Sequence, residues 1–187
     1  IASTQVTGPI TINSTSILRA YSVSSNGSIL PSFIESNTYF IDVTHTVNIM
    51  SIAGTGMADL LVNGSWSAEP PGSFELFDPQ GNLIDEGVGE YNKHGNDSWA
   101  YDQRGFDFIM RDQMGYNYAV RSPIFRTKNR PEYQRLIVKA AANDNYPFEN
   151  GAHIRDSYVH SLSHEGELLE DERTFEPCIV YMNGQYW

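Results

Sequence analysis

The stretch GEYNKHGNDSWAYDQRGFDF (residues 89–108) crowds Lys93, His94, Asp97, Asp102, Arg104 and Asp107 among aromatic residues. Such a set admits three kinds of chemistry. Carboxylates and an imidazole can move protons, cations can hold an anion, and His with Asp can ligate a metal. The plainer possibility is the polar face of a strand pair. A second set lies at His160 and His164, spaced i, i+4 with Glu165 alongside, which puts two imidazoles on one helix face. The zinc-protease pattern needs Glu directly after the first His, and Ser161 stands there. A third ligand would come from His94, His153 or Asp156; a solvated polar helix face is the alternative. ANDNYPFEN (142–150) is rich in side-chain oxygens but lacks the spacing of a calcium loop, so it reads as a surface loop.

The elements that position these residues are mostly strands. TGPITIN, SILRAYSV and NTYFIDV are short runs rich in β-branched and aromatic residues, with Asn26-Gly27 as a turn. THTVNIMSIAG reads as a further strand. Residues 54–72 read as a connecting region ending in Pro70-Pro71-Gly72, with one short apolar segment at Asp59–Val62. SFELFDPQGNLIDEG turns at Asp78–Gly81. In RGFDFIMR, Phe106, Phe108 and Met110 alternate with Asp107, Ile109 and Arg111, which is strand periodicity. RLIVKAAA is another strand, and PCIVYM is a buried-type strand followed by the hairpin signal Asn183-Gly184. The one predicted helix spans 151–165, with Ile154, Tyr158 and Leu162 at i, i+4, i+8, Asp156 in its first turn and Gly166 as its stop. Arg155 is expected to pair with an acidic strand residue. The fold class expected is α+β, mainly β.

With 187 residues, 40% hydrophobic and 12% aromatic, the chain can bury a core. Its formal net charge of −11 argues against nucleic acid as a partner. The one basic cluster, Arg126, Lys128, Arg130 and Arg135 around Pro131, reads as a solvated turn. No run approaches the ~18–20 apolar residues of a membrane span. The single cysteine, Cys178, reads as a buried inert thiol. Sequons at Asn13, Asn26, Asn63 and Asn96 matter only in a eukaryotic secretory pathway. Trp66, Trp99 and Trp187 have the chemistry to stack on sugars, core packing being the commoner fate. The start at Ile1 and the short return strand after Asn183-Gly184 lead us to expect a piece of a longer polypeptide.

Two resemblances follow from these motifs. TGPITINSTSILRAYSV with NTYFI resembles the last strands of the β-sandwich at the C-terminus of chitobiase and β-hexosaminidase, implying the tail of an Ig-like sandwich at residues 1–42. SFELFDPQGN, KHGNDSWAYDQRGFDFIMRDQMG, ENGAHIRDSYVHSL and PCIVYMNGQYW, in that order, resemble the N-terminal part of the CotH-type kinase-like family. On that likeness residues 43–72 are a connector and 73–187 an incomplete β-rich small-lobe region with one helix. The combination resembles secreted multidomain proteins of the Bacteroidota, implying an extracellular or cell-surface location and protein or cell-surface partners. It implies ATP and a divalent metal for a full-length parent, and neither for this fragment alone. The family's basic pair falls on Gln103 and Arg104, so Arg104 is the candidate nucleotide contact, with Lys93 a further one. Glu165 is a candidate for the small-lobe helix acid, with Ser161 in an equally placed register. The implied parent is a kinase or pseudokinase, inactive as this fragment; the alternative is a non-catalytic structural or adhesive surface protein built on the same fold.

Overall fold

Apolar residues at every second position require one buried face, and seven strands supply it. The computed structural model describes residues 4–141, 144, 151–168 and 170–187. Among these, β1 (Ser16–Ala20) and β2 (Glu35–Tyr39) form an antiparallel hairpin. A seven-stranded sheet is built from β3 (Asn48–Ala53), β4 (Pro71–Phe77), β5 (Leu83–Lys93), β6 (Phe106–Met110), β7 (Arg135–Val138), β8 (Cys178–Met182) and β9 (Gln185–Tyr186). Its order is β7-β6-β5-β4-β3-β8-β9, antiparallel except for the β3–β8 pair. The expected class, α+β and mainly β, holds. No described helix is long and apolar enough to cross a membrane.

The side chains of Met50, Ile52, Phe74, Leu76, Tyr91, Phe106, Phe108, Met110 and Leu136 are buried together. Phe74 stacks on Phe108 with ring centroids 4.9 Å apart, and Tyr91 meets the same ring at 5.0 Å. Each such aromatic contributes roughly 1.5–3 kcal/mol by leaving water. The Tyr91 hydroxyl donates to Ser73 O at 2.6 Å, which removes the cost of burying it. A short helix, α1 (Met57–Leu61), covers this face with Met57, Leu60 and Leu61, all fully buried.

Several expectations are revised here. THTVNIMSIAG contains the strand read from it, β3, while within residues 54–72 the short apolar segment read at Asp59–Val62 overlaps α1, which packs on the core. Among the described residues the α-helices are α1 and α2 (Arg155–Glu165). TGPITIN forms no strand. The turn at Asn183-Gly184 forms as read, with φ of 51° and 81°, values that suit Asn and Gly and close the β8–β9 hairpin.

The β1–β2 hairpin lies on the opposite face of the sheet. Thr38 N donates to Glu75 Oε1 at 3.0 Å, the Thr38 hydroxyl bonds Glu75 Oε2, and Ser51 Oγ lies 2.6 Å from Thr38 Oγ1. Beside this polar seam, Phe40 packs edge-on to Phe77 and Tyr181. Glu75 is buried without a cation. Burial raises its pKa, the Thr38 bonds offset this only in part, and Glu86 adds to the rise. A carboxyl raised in the folded state binds more protons folded than unfolded, so it costs stability as pH climbs through that interval. Glu75→Gln keeps the shape and removes the titration. Urea unfolding between about pH 4 and about pH 7 should show the variant gaining on the parent as pH rises; a difference that stays constant with pH contradicts this account of the seam.

Candidate functional site

The polar strip that looked like a catalytic row is divided by the fold into separate tasks. Residues 94–105 form a loop pinned at its neck, where His94 N donates to Gly105 O and Trp99 Nε1 donates to the carbonyls of His94 (2.8 Å) and Gly105 (3.0 Å). Trp99 is buried, in the core rather than on a sugar-stacking surface. Lys93 Nζ lies 3.6 Å from the centroid of exposed Trp66 and bonds Asn96 Oδ1 at 3.3 Å. Arg104 donates through Nε to Trp99 O (3.1 Å) and through an Nη to Leu61 O (2.8 Å) and Val62 O (3.1 Å). It thereby satisfies carbonyls left open at the end of α1. Gly64, at φ 67°, lets the guanidinium approach so closely that a Cβ there would sit 3.0 Å from Nε. Arg104 is thus a clamp between two loops.

Asp107 leads from this strip to the site. It is buried on the sheet face opposite Phe106 and Phe108, with His94 Nδ1 3.1 Å from Oδ1 and Arg135 paired to Oδ2. Arg135 in turn stands at a cleft of about 590 Å³. The curled sheet brings Leu136 and Val138 of β7 into the same cleft as Met50, Leu76 and Cys178. Helix α2 (Arg155–Glu165) and the segment 173–177 close the remaining sides. The volume is that of a small-molecule site.

The cleft wall is basic although the chain is strongly acidic. Arg135, Lys139, Arg155 and Arg173 line it, with His153 and His160. Lys139, just after β7, pairs with Asp156 in the first turn of α2. That hydrogen bond, then the charges of Lys139, His160 and Arg173, hold the Asp156 carboxyl below its usual range against some desolvation. Arg173 makes no ion pair or hydrogen bond among the described residues. The N-terminus of α2 is held by Asp144, whose Oδ2 accepts from Ile154 N (2.8 Å) and Arg155 N (2.9 Å), and those bonds lower its pKa. Arg155 approaches the same carboxylate at 3.6 Å, so its acidic partner is Asp144 rather than a strand residue. The clamp Arg126–Glu176 ties the 126 loop to the segment over the cleft. Four cationic side chains around an apolar floor, one of them without an ion-pair partner among the described residues, suit an anionic ligand such as phosphate.

The remaining candidates fall elsewhere. His160 faces the cleft, whereas exposed His164 lies in the last turn of α2, where it lowers the Glu172 pKa as a minor contribution behind the Ser163 hydrogen bond. Among the described residues no three His, Cys, Asp or Glu side chains converge as a metal-ligating group, so the pair lacks its third ligand. Glu165 is exposed at the end of α2, with no hydrogen bond or ion pair to Arg104 or Lys93. Cys178 is exposed at the start of β8 rather than buried, yet the protein mass around its sulfur desolvates the thiolate and pushes the pKa up to about 11. Of ANDNYPFEN only Asp144 falls among the described residues. The sequence reading missed Lys139 and Arg173. The signal for Lys139 was its place directly after RLIV, with a helix bearing Asp156 to follow.

No protein-family model, curated protein or solved structure matches the chain. The geometry at Arg104 generates its own test. Arg104→Ala should lower the unfolding free energy by about 1–3 kcal/mol, since up to three carbonyls lose their donor, and Arg104→Lys should restore little of it because the fork is gone. Anion affinity should be unchanged in both. Denaturant titration and calorimetric binding check the two parts.

Proposed function

We propose that this chain is the ligand-binding, small-lobe part of a secreted CotH-like, kinase-like protein, and that the cleft beside α2 receives the phosphate groups of a nucleotide. The observation that carries the reading is the Lys139–Asp156 pair. Kinases hold nucleotide phosphates with a strand lysine paired to an acid on the small-lobe helix, and the ion pair between Lys139, just after β7, and Asp156, in the first turn of α2, supports the reading by its likeness to that arrangement. The phosphate contact moves from Arg104, which is committed to backbone carbonyls, to Lys139, with Arg173 and Arg155 beside it. The apolar floor of Met50, Leu76, Leu136 and Val138 gives a planar group somewhere dry to rest.

The donor set fits phosphate but not the divalent metal of phosphoryl transfer, for which no ligand group is assembled among the described residues. The function proposed for this chain is accordingly binding. Lys139 supplies charge, Asp156 orients it, and buried Asp107 fixes Arg135 at the cleft edge. The extracellular setting is part of the same proposal and rests on the resemblance in the sequence.

The test is calorimetric titration with magnesium–ATP and with pyrophosphate. Lys139→Met should weaken binding by between roughly tenfold and a hundredfold, the worth of one charge-assisted hydrogen bond. Arg173→Ala should act in the same direction. Because both side chains reach solvent, neither change should alter the fold. Equal affinity for the parent and both variants contradicts the reading.

A further inference from the structure

Helix α2 does not bury the stripe that its sequence pattern predicts. The stripe Ile154, Tyr158, Leu162, with Val159 beside it, was the face expected to meet the core. Tyr158, Leu162 and Val159 are instead 58%, 53% and 60% exposed, the helix buries none of its side chains, and Ile154, just before its first turn, lies at the cleft. Its polar side, Asp156, Ser157 and His160, turns to the cleft. Leu168, 61% exposed, extends the apolar stripe beyond the helix end, where Leu168 N donates to Ser163 O. Tyr158, Val159, Leu162 and Leu168 therefore form a row of exposed apolar side chains, mixed with polar ones, along the side of α2 away from Asp156, Ser157 and His160, the kind of surface a partner can cover.

The surrounding charge says what kind of partner fits. Glu165, Glu167, Glu170 and Asp171 stand around the Leu162–Leu168 end, and none makes an ion pair among the described residues. Glu172 is bonded by Ser163 Oγ at 2.6 Å, which holds the acidic segment against the helix. A second copy of the chain would bring the same unpaired carboxylates, on a molecule of net charge −11, to the same surface. The helix is eleven residues long, about 16 Å, and a stripe that short offers a second copy far less than the ~800 Å² per partner of a stable interface. Anionic lipid is repelled by the same acids.

We propose that the outer face of α2 docks a cationic amphipathic segment of another polypeptide, one that lays an apolar stripe along Tyr158 and Leu162 and places Lys or Arg against Glu165, Glu167, Glu170 and Asp171. This surface is separate from the basic cleft on the other side of the helix, and it stands whether or not the cleft takes nucleotide.

The probe is a labelled amphipathic Leu/Lys peptide, followed by fluorescence anisotropy at low and moderate salt. The parent chain should bind it with an affinity that falls as salt rises. Tyr158→Ser with Leu162→Ser should cost about tenfold or more, with an unchanged circular dichroism spectrum because neither side chain is buried. Glu165→Gln with Glu167→Gln should weaken binding and flatten its salt dependence, while Lys139→Met should leave it unaltered. Peptide affinity insensitive to the Tyr158/Leu162 change overturns the proposal, since binding is then general attraction to an acidic protein. Concentration-dependent dimerisation in sedimentation that the same change abolishes also overturns it, by assigning the face to a second copy.

Discussion

The structure depends on a concave apolar face that is longer than its cover. Phe74, Tyr91, Phe106 and Phe108 set the depth of that face, and α1 with Trp99 closes its middle. Arg104 holds this cover in place by satisfying carbonyls at Leu61, Val62 and Trp99. Toward β7 and β3 the cover runs out. There Met50, Leu76, Leu136 and Val138 open into the cleft, with α2 standing across it. The site is thus a consequence of packing: an apolar floor with no lid of its own, in a position where any side chain on the rim can meet a ligand.

Charge gives that opening its chemistry. The chain as a whole is acidic, yet four cationic side chains stand on the rim of the cleft, and three of them have a distinct anchor. Asp107 holds Arg135, Asp156 holds Lys139, and Asp144 both caps α2 and steadies Arg155. The exposed Lys139–Asp156 pair adds little to stability, about 0–1 kcal/mol. The value of these pairs is positional, since they fix cations around a volume while offsetting part of their charge, and Arg173 adds a charge with no ion-pair partner among the described residues. The acids freed of this duty lie on the outer side of α2, so the helix separates a basic cleft from an acidic exterior.

Much of the sheet was legible in the sequence because period-two alternation is a local signal. Phe106, Phe108 and Met110 fell on the buried face as read, and the turns at Asp78–Gly81 and Asn183-Gly184 formed where their residue types demand. The failures have a common cause, in that burial depends on partners distant in sequence. Residues 54–72 looked connecting because turn residues surround one short apolar run, but that run forms α1 and packs Met57, Leu60 and Leu61 against strands distant in sequence. Ile154, Tyr158 and Leu162 had a core-facing pattern that the fold did not use. Arg104 drew attention through its neighbours in sequence, whereas the carbonyls of Leu61 and Val62, which claim it, lie some forty residues earlier. Lys139 needed knowledge that α2 crosses beside the end of β7, which spacing alone does not give.

The central claim is that phosphate groups bind between β7 and α2, at Lys139, and not in the 93–104 strip. The most direct measurement is a map of backbone amide chemical shifts during titration with magnesium–ATP. The account predicts that the perturbed amides cluster at residues 135–139, 153–160 and 173–178. Shifts centred on Lys93 to Arg104, with the cleft residues unmoved, would contradict it.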